Sequence, residues 1–517
     1  MWRACSSGLA AGVWLLVFGS AAALAGAPTP KLPDFSLEGC FRDVHGPDAK
    51  TVTLGQEGVE SLDEAIAALR PGGGVILVPP GTYENQNFRL GRNSMSVTLR
   101  GILGPGGQRP RFLFKGPKPS GLFIGFGTSP WLNMKEGIAA PPNADEAQVE
   151  NLEIGGYGAA ISIGNCARFV LKNCVVHDSP NNLISSANLA GTQRCSLEFY
   201  GNEIFHGGQG NAKHNFYLHR GHGGSFVRVA FLNNHCHSAR GSSCLKSIAN
   251  EHIIVGNLFE TTSPDEPDKQ RYSSTLLVDV PAASDNLIAC NTFRYQGESL
   301  SRSAIGIRRR ASIYGCDRPS YFSEEFHSPG FWKAVAERGT DSVLPDPKAA
   351  ANPFFIHTFI FGNTFRYVGS ESSRAPAIVT WGTLPTATAV SFGPKLPLRR
   401  PEGWLERSRL WVANNRYTNV HDRYLDSAAI EGFAGREDFE RNKDRWLRGA
   451  NAEALKPYLD WTQPPPPEVK TIILAGGEDG EPIPLPQWFP KVDLDELPES
   501  IKAQWPSRPN PGWNESN

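Results

Sequence analysis

The chain has 517 residues, and its 51 Lys and Arg against 52 Asp and Glu leave a formal net charge of −1. That balance excludes a nucleic-acid binder built on a strongly basic field, so any anionic partner must be held by a local cluster. Length alone suggests two or more globular domains, but a solenoid escapes that expectation because it grows by adding coils.

The N-terminus reads as a targeting signal over residues 1–25. Arg3 gives a positive start, an apolar run extends from Leu9 to Leu24, and Ala23-Leu24-Ala25 fits a small-residue cleavage site. The run is short, rich in Ala and Gly, and followed by Pro28 and Pro30, which favours cleavage near Gly26 over a membrane anchor. A secreted or periplasmic protein is the expectation, with no later stretch fit to span a bilayer. Beyond Cys5 lie Cys40, Cys166, Cys174, Cys195, Cys236, Cys244, Cys290 and Cys316. An oxidising compartment permits disulfides among them, yet most sit in apolar strand patterns where Cys packs as a small hydrophobe. Their spacing matches no zinc pattern and singles out no pair.

Residues Ser61 to Arg70 predict a short amphipathic helix with Ser61 as N-cap and Glu64 at the capping-box position, ended by Pro71-Gly72-Gly73-Gly74. A strand and turn follow, Val75-Ile-Leu-Val-Pro-Pro-Gly81-Thr-Tyr83. Farther on, a short apolar strand ending in Asn recurs at Asn173, Asn202, Asn234, Asn257, Asn291, Asn363 and Asn415, each Asn soon followed by an apolar or aromatic residue. The gaps from Asn173 to Asn291 are 29, 32, 23 and 34 residues, one β-helical turn each with loops of varying length. A coil must turn sharply between strands; Asn tolerates the left-handed conformation, and its amide can bond to the Asn of the next coil. A β-sandwich also has short alternating strands but does not place Asn at one point of every unit. The fold expected is all-β, a right-handed parallel β-helix with an N-terminal capping helix and an irregular, partly helical C-terminal cap.

The capping helix, the strand and Pro-Gly-Thr-Tyr83 together resemble the entry segment of the pectin-lyase-like β-helix superfamily, over roughly residues 50 to 420. The resemblance implies the fold and leaves the reaction open, because lyases, hydrolases, epimerases and phage adhesins share it. The β-helix is expected over 26–420, with an insertion at about 315–350 that carries a helix around Phe331 to Arg338. Residues 421–517, with a charged stretch from Glu437 to Tyr458 and Pro464-Pro-Pro-Pro467, are expected to cap and wrap the last coil.

The strands preceding the Asn-bearing ones can be laid over one another. Alternation turns Phe216, Leu218, Leu245, Val278, Val280, Ile305 and Ile307 inward, so Tyr217, Lys246 and Asp279 should form an outward ladder from three consecutive coils. His219 and Arg308 fall two positions along. Around the ladder the sequence is rich in His and Arg, with seven of the 12 histidines between His206 and His252. His235 and His237, flanking Asn234, read as turn residues. A solvated surface is the bland alternative for the whole group.

Abstracting the C5 proton of a uronic acid needs a base and a cation that neutralises the adjacent carboxylate. Lys246, His214 or His219 would serve as base, Tyr217 would protonate the leaving oxygen, and Arg220, Arg240, Arg271 and Arg308 would bind substrate. The expected function is therefore a polysaccharide lyase or C5-epimerase on an anionic, uronate-containing glycan, acting as a monomer with no nucleic-acid partner. One alternative is a β-helix glycoside hydrolase, which needs two carboxylates and would pair Asp279 with Asp265, Glu266 or Asp268. Another is a non-catalytic carbohydrate-binding surface protein. The segments His214-Asn-Phe-Tyr217, Leu-Lys246-Ser and Val-Asp279-Val-Pro resemble a widespread group of bacterial β-helix proteins of poorly defined activity, which marks those residues without assigning roles. No cofactor is expected, and no metal: calcium would need a dense acidic set, and only Asp265, Glu266 and Asp268 approach one.

Overall fold

The computed structural model describes residues 35–37, 39–90, 95–116, 122–126, 146–164, 166–186, 194–208, 213–218, 226–261, 276–280, 285–296, 303–308, 357–368, 377–381, 409–420, 424–426 and 471–474. Each coil lays down one strand on each of three sheets, of 12, 10 and 10 strands, called first, second and third in chain order around the coil. All pairings within the three sheets are parallel, as in Phe169↔Leu197↔Val229, so the chain is a parallel β-helix. One face of every strand points into a single continuous core, which includes Val149, Phe169, Leu197, Val229, Ile254 and Ile288 from the first sheet.

The helix Leu62–Leu69 closes the N-terminal end, burying Leu62, Ala65, Ile66 and Leu69 against the first coil. Its capping box is complete: the Glu64 N–H donates to Ser61 Oγ at 3.3 Å, and the Ser61 N–H donates to Glu64 Oε2 at 2.8 Å.

The asparagine column runs along the corner between the first and second sheets, through Asn202, Asn234, Asn257, Asn291, Asn363 and Asn415. Each Oδ1 from Asn234 onward accepts both the backbone N–H and the Nδ2 of the Asn before it, at 2.8 to 3.1 Å. Each Nδ2 from Asn202 onward also donates to a carbonyl of the first-sheet strand preceding that of its own coil, such as Asn257 to Phe231 O at 2.7 Å. Asn173 is a correction to the expected stack. The residue level with Asn202 one coil earlier is Cys174, whose N–H donates to Asn202 Oδ1 at 2.9 Å. Asn173 instead has a φ of 51°, in the left-handed site that precedes the column. Asn151, Gly201, Asn233, Gly256, Cys290, Gly362 and Asn414 occupy that site in other coils, all with positive φ. The sharp turn and the amide stack thus belong to two adjacent positions.

Residues 35–37 and 39–45 lie across the outer face of the first sheet, which the sequence did not announce. Phe35 meets Phe359 edge-on at 5.8 Å, and Phe41 packs on Tyr200 at 5.5 Å. Buried Arg168 donates to the Cys40 and Arg42 carbonyls and pairs with Glu198 at 2.7 Å, so the strap is bonded to the sheet as well as packed on it. The sheets also continue past residue 420, where the repeat was expected to fade: Tyr424–Asp426 pairs with Ile378–Trp381, and Thr471–Leu474 pairs with Arg409–Ala413. The expected helices around Phe331 to Arg338 and from Glu437 to Tyr458 fall outside the described residues. The seven described cysteines are free thiols, six of them buried. Burial pushes the Cys40 and Cys290 thiols up to about 11 and Cys174 to about 12, the behaviour of inert core residues. Among the described residues no helix is long and apolar enough to cross a membrane.

Candidate functional site

The third sheet brings the expected ladder together. Tyr217 is in register with Lys246 and Lys246 with Asp279, on the strands Phe216–Leu218, Leu245–Ser247 and Val278–Val280. The flanking Phe216, Leu218, Leu245, Val278 and Val280 are all fully buried, so alternation leaves the three polar residues on the outer face. Ser162 and Ser185 continue the column on one side and Gly306 on the other.

Exposure is uneven along this column. Lys246 keeps 25% of its side chain open while Asp279 keeps 2%, and Lys246 Nζ lies 3.9 Å from Asp279 Oδ2 and 5.7 Å from the centre of the Tyr217 ring. Lys246 is therefore more open to solvent than Asp279, and its ammonium has a buried carboxylate on one side and an aromatic face on the other.

His214 stacks on Tyr217 with ring centres 5.5 Å apart and planes 16° from parallel. Its Nδ1 accepts the Ser243 backbone N–H at 3.0 Å, so the neutral ring carries its proton on Nε2. In that tautomer His214 has no ring lone pair left for proton abstraction. The next residue, Asn215, ties this site to the second sheet: its Oδ1 accepts the Gly207 N–H at 2.7 Å and its Nδ2 donates to His237 O at 2.8 Å. A Cβ on Gly207 would come within 2.5 Å of that Oδ1, so only glycine permits the approach.

Of the other expected site residues, His219, Arg220 and Arg271 lie outside the described residues, as do Asp265, Glu266 and Asp268. Arg308 ends the strand Ile305–Arg308, with its backbone paired to Trp381. Arg240 is directed elsewhere: its guanidinium sits 3.0 Å from Asp178 Oδ1, at the corner where strands of the second sheet end. Arg228 faces out of the first sheet and pairs with Glu251 at 2.9 Å.

Asp178 organises a second polar cluster. It accepts from His177 Nδ1 at 2.8 Å and His206 Nδ1 at 3.1 Å, in addition to its pairing with Arg240. Burial opposes the charged form of His177, but the bonds to Asp178 and Glu153 outweigh it and raise its pKa to about 9. Asp178 is likewise held far below the usual carboxylate range, because the two histidines outweigh its own burial.

His235 and His237 are not turn residues. They occupy the strand His235–His237 of the second sheet, pointing outward on either side of inward Cys236, and both are buried. Glu203 is in register with His235, and Phe205 with His237. The rings of His177, Phe205 and His237 stack at 5.1 and 4.9 Å. Among the described residues, Glu203, His235 and His237 form the one group whose donor atoms are close enough to hold a metal ion. The strands after each Asn, laid over one another in sequence, put Glu203 and His235 in one column and His177 and His237 in the next.

No family model matches the chain, and no curated protein matches its sequence. Solved structures similar to it include the ORF18 protein of Geobacillus virus E2, at 11% identity and a TM-score of 0.40; the match covers 73% of this chain and 60% of that one. The alginate lyase of Paenibacillus sp. str. FPU-7 matches at 10% identity and 0.32, over 73% of this chain and 99% of the other. The A-module of the Azotobacter vinelandii mannuronan C-5 epimerase AlgE6 matches at 11% and 0.30, over 71% and 93%.

Proposed function

We infer that the protein is a polysaccharide lyase or C5-epimerase acting on a uronate-containing glycan, with the Tyr217, Lys246 and Asp279 column as its centre. The observation that carries this reading is the partly exposed Lys246, its ammonium set between the Tyr217 ring and the buried Asp279. A uronate carboxylate placed on Lys246 has its charge neutralised where the enolate develops, the interaction that grows most on the way to the transition state. The Tyr217 oxygen is then the group to take the C5 proton, with the His214 ring stacked against the Tyr217 ring. In elimination the electrons of the C5–H bond form the C4–C5 double bond, the C4–O bond breaks, and the proton passes to the leaving oxygen. In epimerisation the carbanion is reprotonated from the opposite face. Hydrolysis fits less well, since it needs two carboxylates across the bond, and the one on the column is buried behind Lys246. The signal-like N-terminus accords with an extracellular or periplasmic glycan as substrate.

The test is incubation of the purified protein with a panel of uronic-acid polysaccharides. Ultraviolet absorbance reports unsaturated uronate, and NMR in deuterated water reports label entering C5. Either signal, lost in Lys246→Ala, is the expected result. Reducing ends released without either signal would refute proton abstraction and leave hydrolysis.

A further inference from the structure

We propose that Glu203, His235 and His237 form a binding site for a divalent first-row transition metal ion of the zinc class, clamping two neighbouring coils on the second sheet. Glu203 comes from one coil and both histidines from the next, placed by the register Glu203↔His235. His235 Nδ1 and His237 Nε2 converge on the same carboxylate oxygen, Glu203 Oε1, at 3.7 and 3.5 Å. Donor atoms around a tetrahedral ion with bonds of about 2.0–2.1 Å stand about 3.3–3.4 Å apart, so the separations need little adjustment. Two imidazoles and one carboxylate suit zinc and its neighbours rather than calcium or magnesium, which take oxygen donors.

The far side of each ring supports the assignment. His235 Nε2 is bonded to Glu260 Oε2 at 2.6 Å, which directs the Nδ1 lone pair of the neutral ring toward Glu203. Glu260 is itself held by Arg294 at 3.1 Å. His237 Nδ1 meets Ser238 Oγ at 3.0 Å. Such outer partners on the second ring nitrogen are the usual orienting contacts of metal-bound histidine. The independent pointer is His237 Nε2: this residue is 5% exposed, and that nitrogen, aimed at the site, makes no well-formed hydrogen bond, its approach to Glu203 Oε1 being 3.5 Å. A buried imidazole nitrogen with only so long a contact costs free energy that a coordinate bond would recover. Glu203 is 32% exposed, so the ion would be reached from solvent and keep a position for water.

The test uses the full chain, treated with a chelator and titrated with Zn²⁺ against a chromophoric competitor. One ion per chain is expected. Glu203→Gln and His237→Gln should each weaken binding at least about 10-fold, Glu260→Gln by about 10- to 100-fold, and His206→Gln, outside the triad, should leave it unchanged. X-ray absorption of the zinc-loaded wild-type protein should show two imidazole shells, a readout that stands if a variant fails to fold. Failure of the wild-type protein to take up Zn²⁺ would overturn the proposal and leave the cluster an ion-pair network only. Unchanged binding in His235→Gln/His237→Gln, or no imidazole scattering, would overturn it equally.

Discussion

Replacing Asn257 by Ala removes the middle of the amide column, and the cost can be counted bond by bond. Asn257 Nδ2 donates to Phe231 O at 2.7 Å and Asn291 Oδ1 at 2.8 Å, while its Oδ1 accepts from Asn234 N at 2.8 Å and Asn234 Nδ2 at 3.1 Å. In the variant Asn291 Oδ1 keeps the Asn257 N–H and Asn234 Nδ2 keeps Phe199 O, but the buried Asn234 N–H loses its acceptor. An orphaned buried donor costs about 1–3 kcal/mol and each of the three further net bonds about 0.5–1.5, so the loss should be at least about 2.5 kcal/mol. Asn419→Gly, at an exposed position outside the column with a φ of 55°, keeps its turn accessible and should shift stability by less than about 1 kcal/mol. Urea unfolding followed by circular dichroism and tryptophan fluorescence compares the two, with coincidence of the probes checked because solenoids can unfold in parts. A loss below about 1 kcal/mol for Asn257→Ala, matching Asn419→Gly, would refute the stabilising role of the column.

His177, with its pKa raised to about 9, binds its proton more tightly folded than unfolded. Its contribution is complete below the unfolded value of about 6.5 and is lost as pH rises through about 9. Thermal melts across that window should show the wild type losing stability relative to His177→Gln. Gly155→Ala should break the same contact, because a Cβ there would stand 2.4 Å from the His177 ring; proton NMR should then show His177 titrating at lower pH. At the third sheet, Lys246→Ala should cost activity by about 10²- to 10⁴-fold, with partial rescue by Lys246→Arg where a fixed cation suffices. Asp279→Asn should be milder than Lys246→Ala; the reverse order in kcat would favour a hydrolase.

Much of the fold was legible because a coil repeats its constraints. The capping box at Ser61 and Glu64, the inward alternation around Tyr217, and the Asn period each reflect a local demand that residue type alone expresses. What the period concealed was its phase. Asn serves both the left-handed turn and the amide stack, and in Asn233-Asn234 and Asn414-Asn415 both sites hold Asn. Gly201-Asn202, Gly256-Asn257 and Gly362-Asn363 resolve the phase, since glycine marks the left-handed member, and they show that Lys172-Asn173-Cys174 places Asn173 at the turn. The strap at residues 35–37 and 39–45 carried no comparable signal: it is bound by scattered Phe, backbone carbonyls and Arg168, with no period to detect.

The candidate site was legible to the extent that its residues share one column. Tyr217, Lys246 and Asp279 follow from alternation plus register, whereas the destination of Arg240 depends on a corner whose path the sequence leaves open. The histidine-rich segment was read as one cationic field, but successive strands belong to different faces. It divides instead into His214 on the third sheet, His206, His235 and His237 on the second, and His252 in the core, bonded to Ser247 and Asn286. Proximity in sequence within a coil thus disperses chemistry, while separation by one coil concentrates it. The two faces are nonetheless joined at Asn215, which holds the His237 carbonyl and the Gly207 N–H while its neighbour His214 stacks on Tyr217. Any shift of the His235–His237 strand is therefore felt one residue away from the His214 ring, which stacks on the Tyr217 ring beside Lys246.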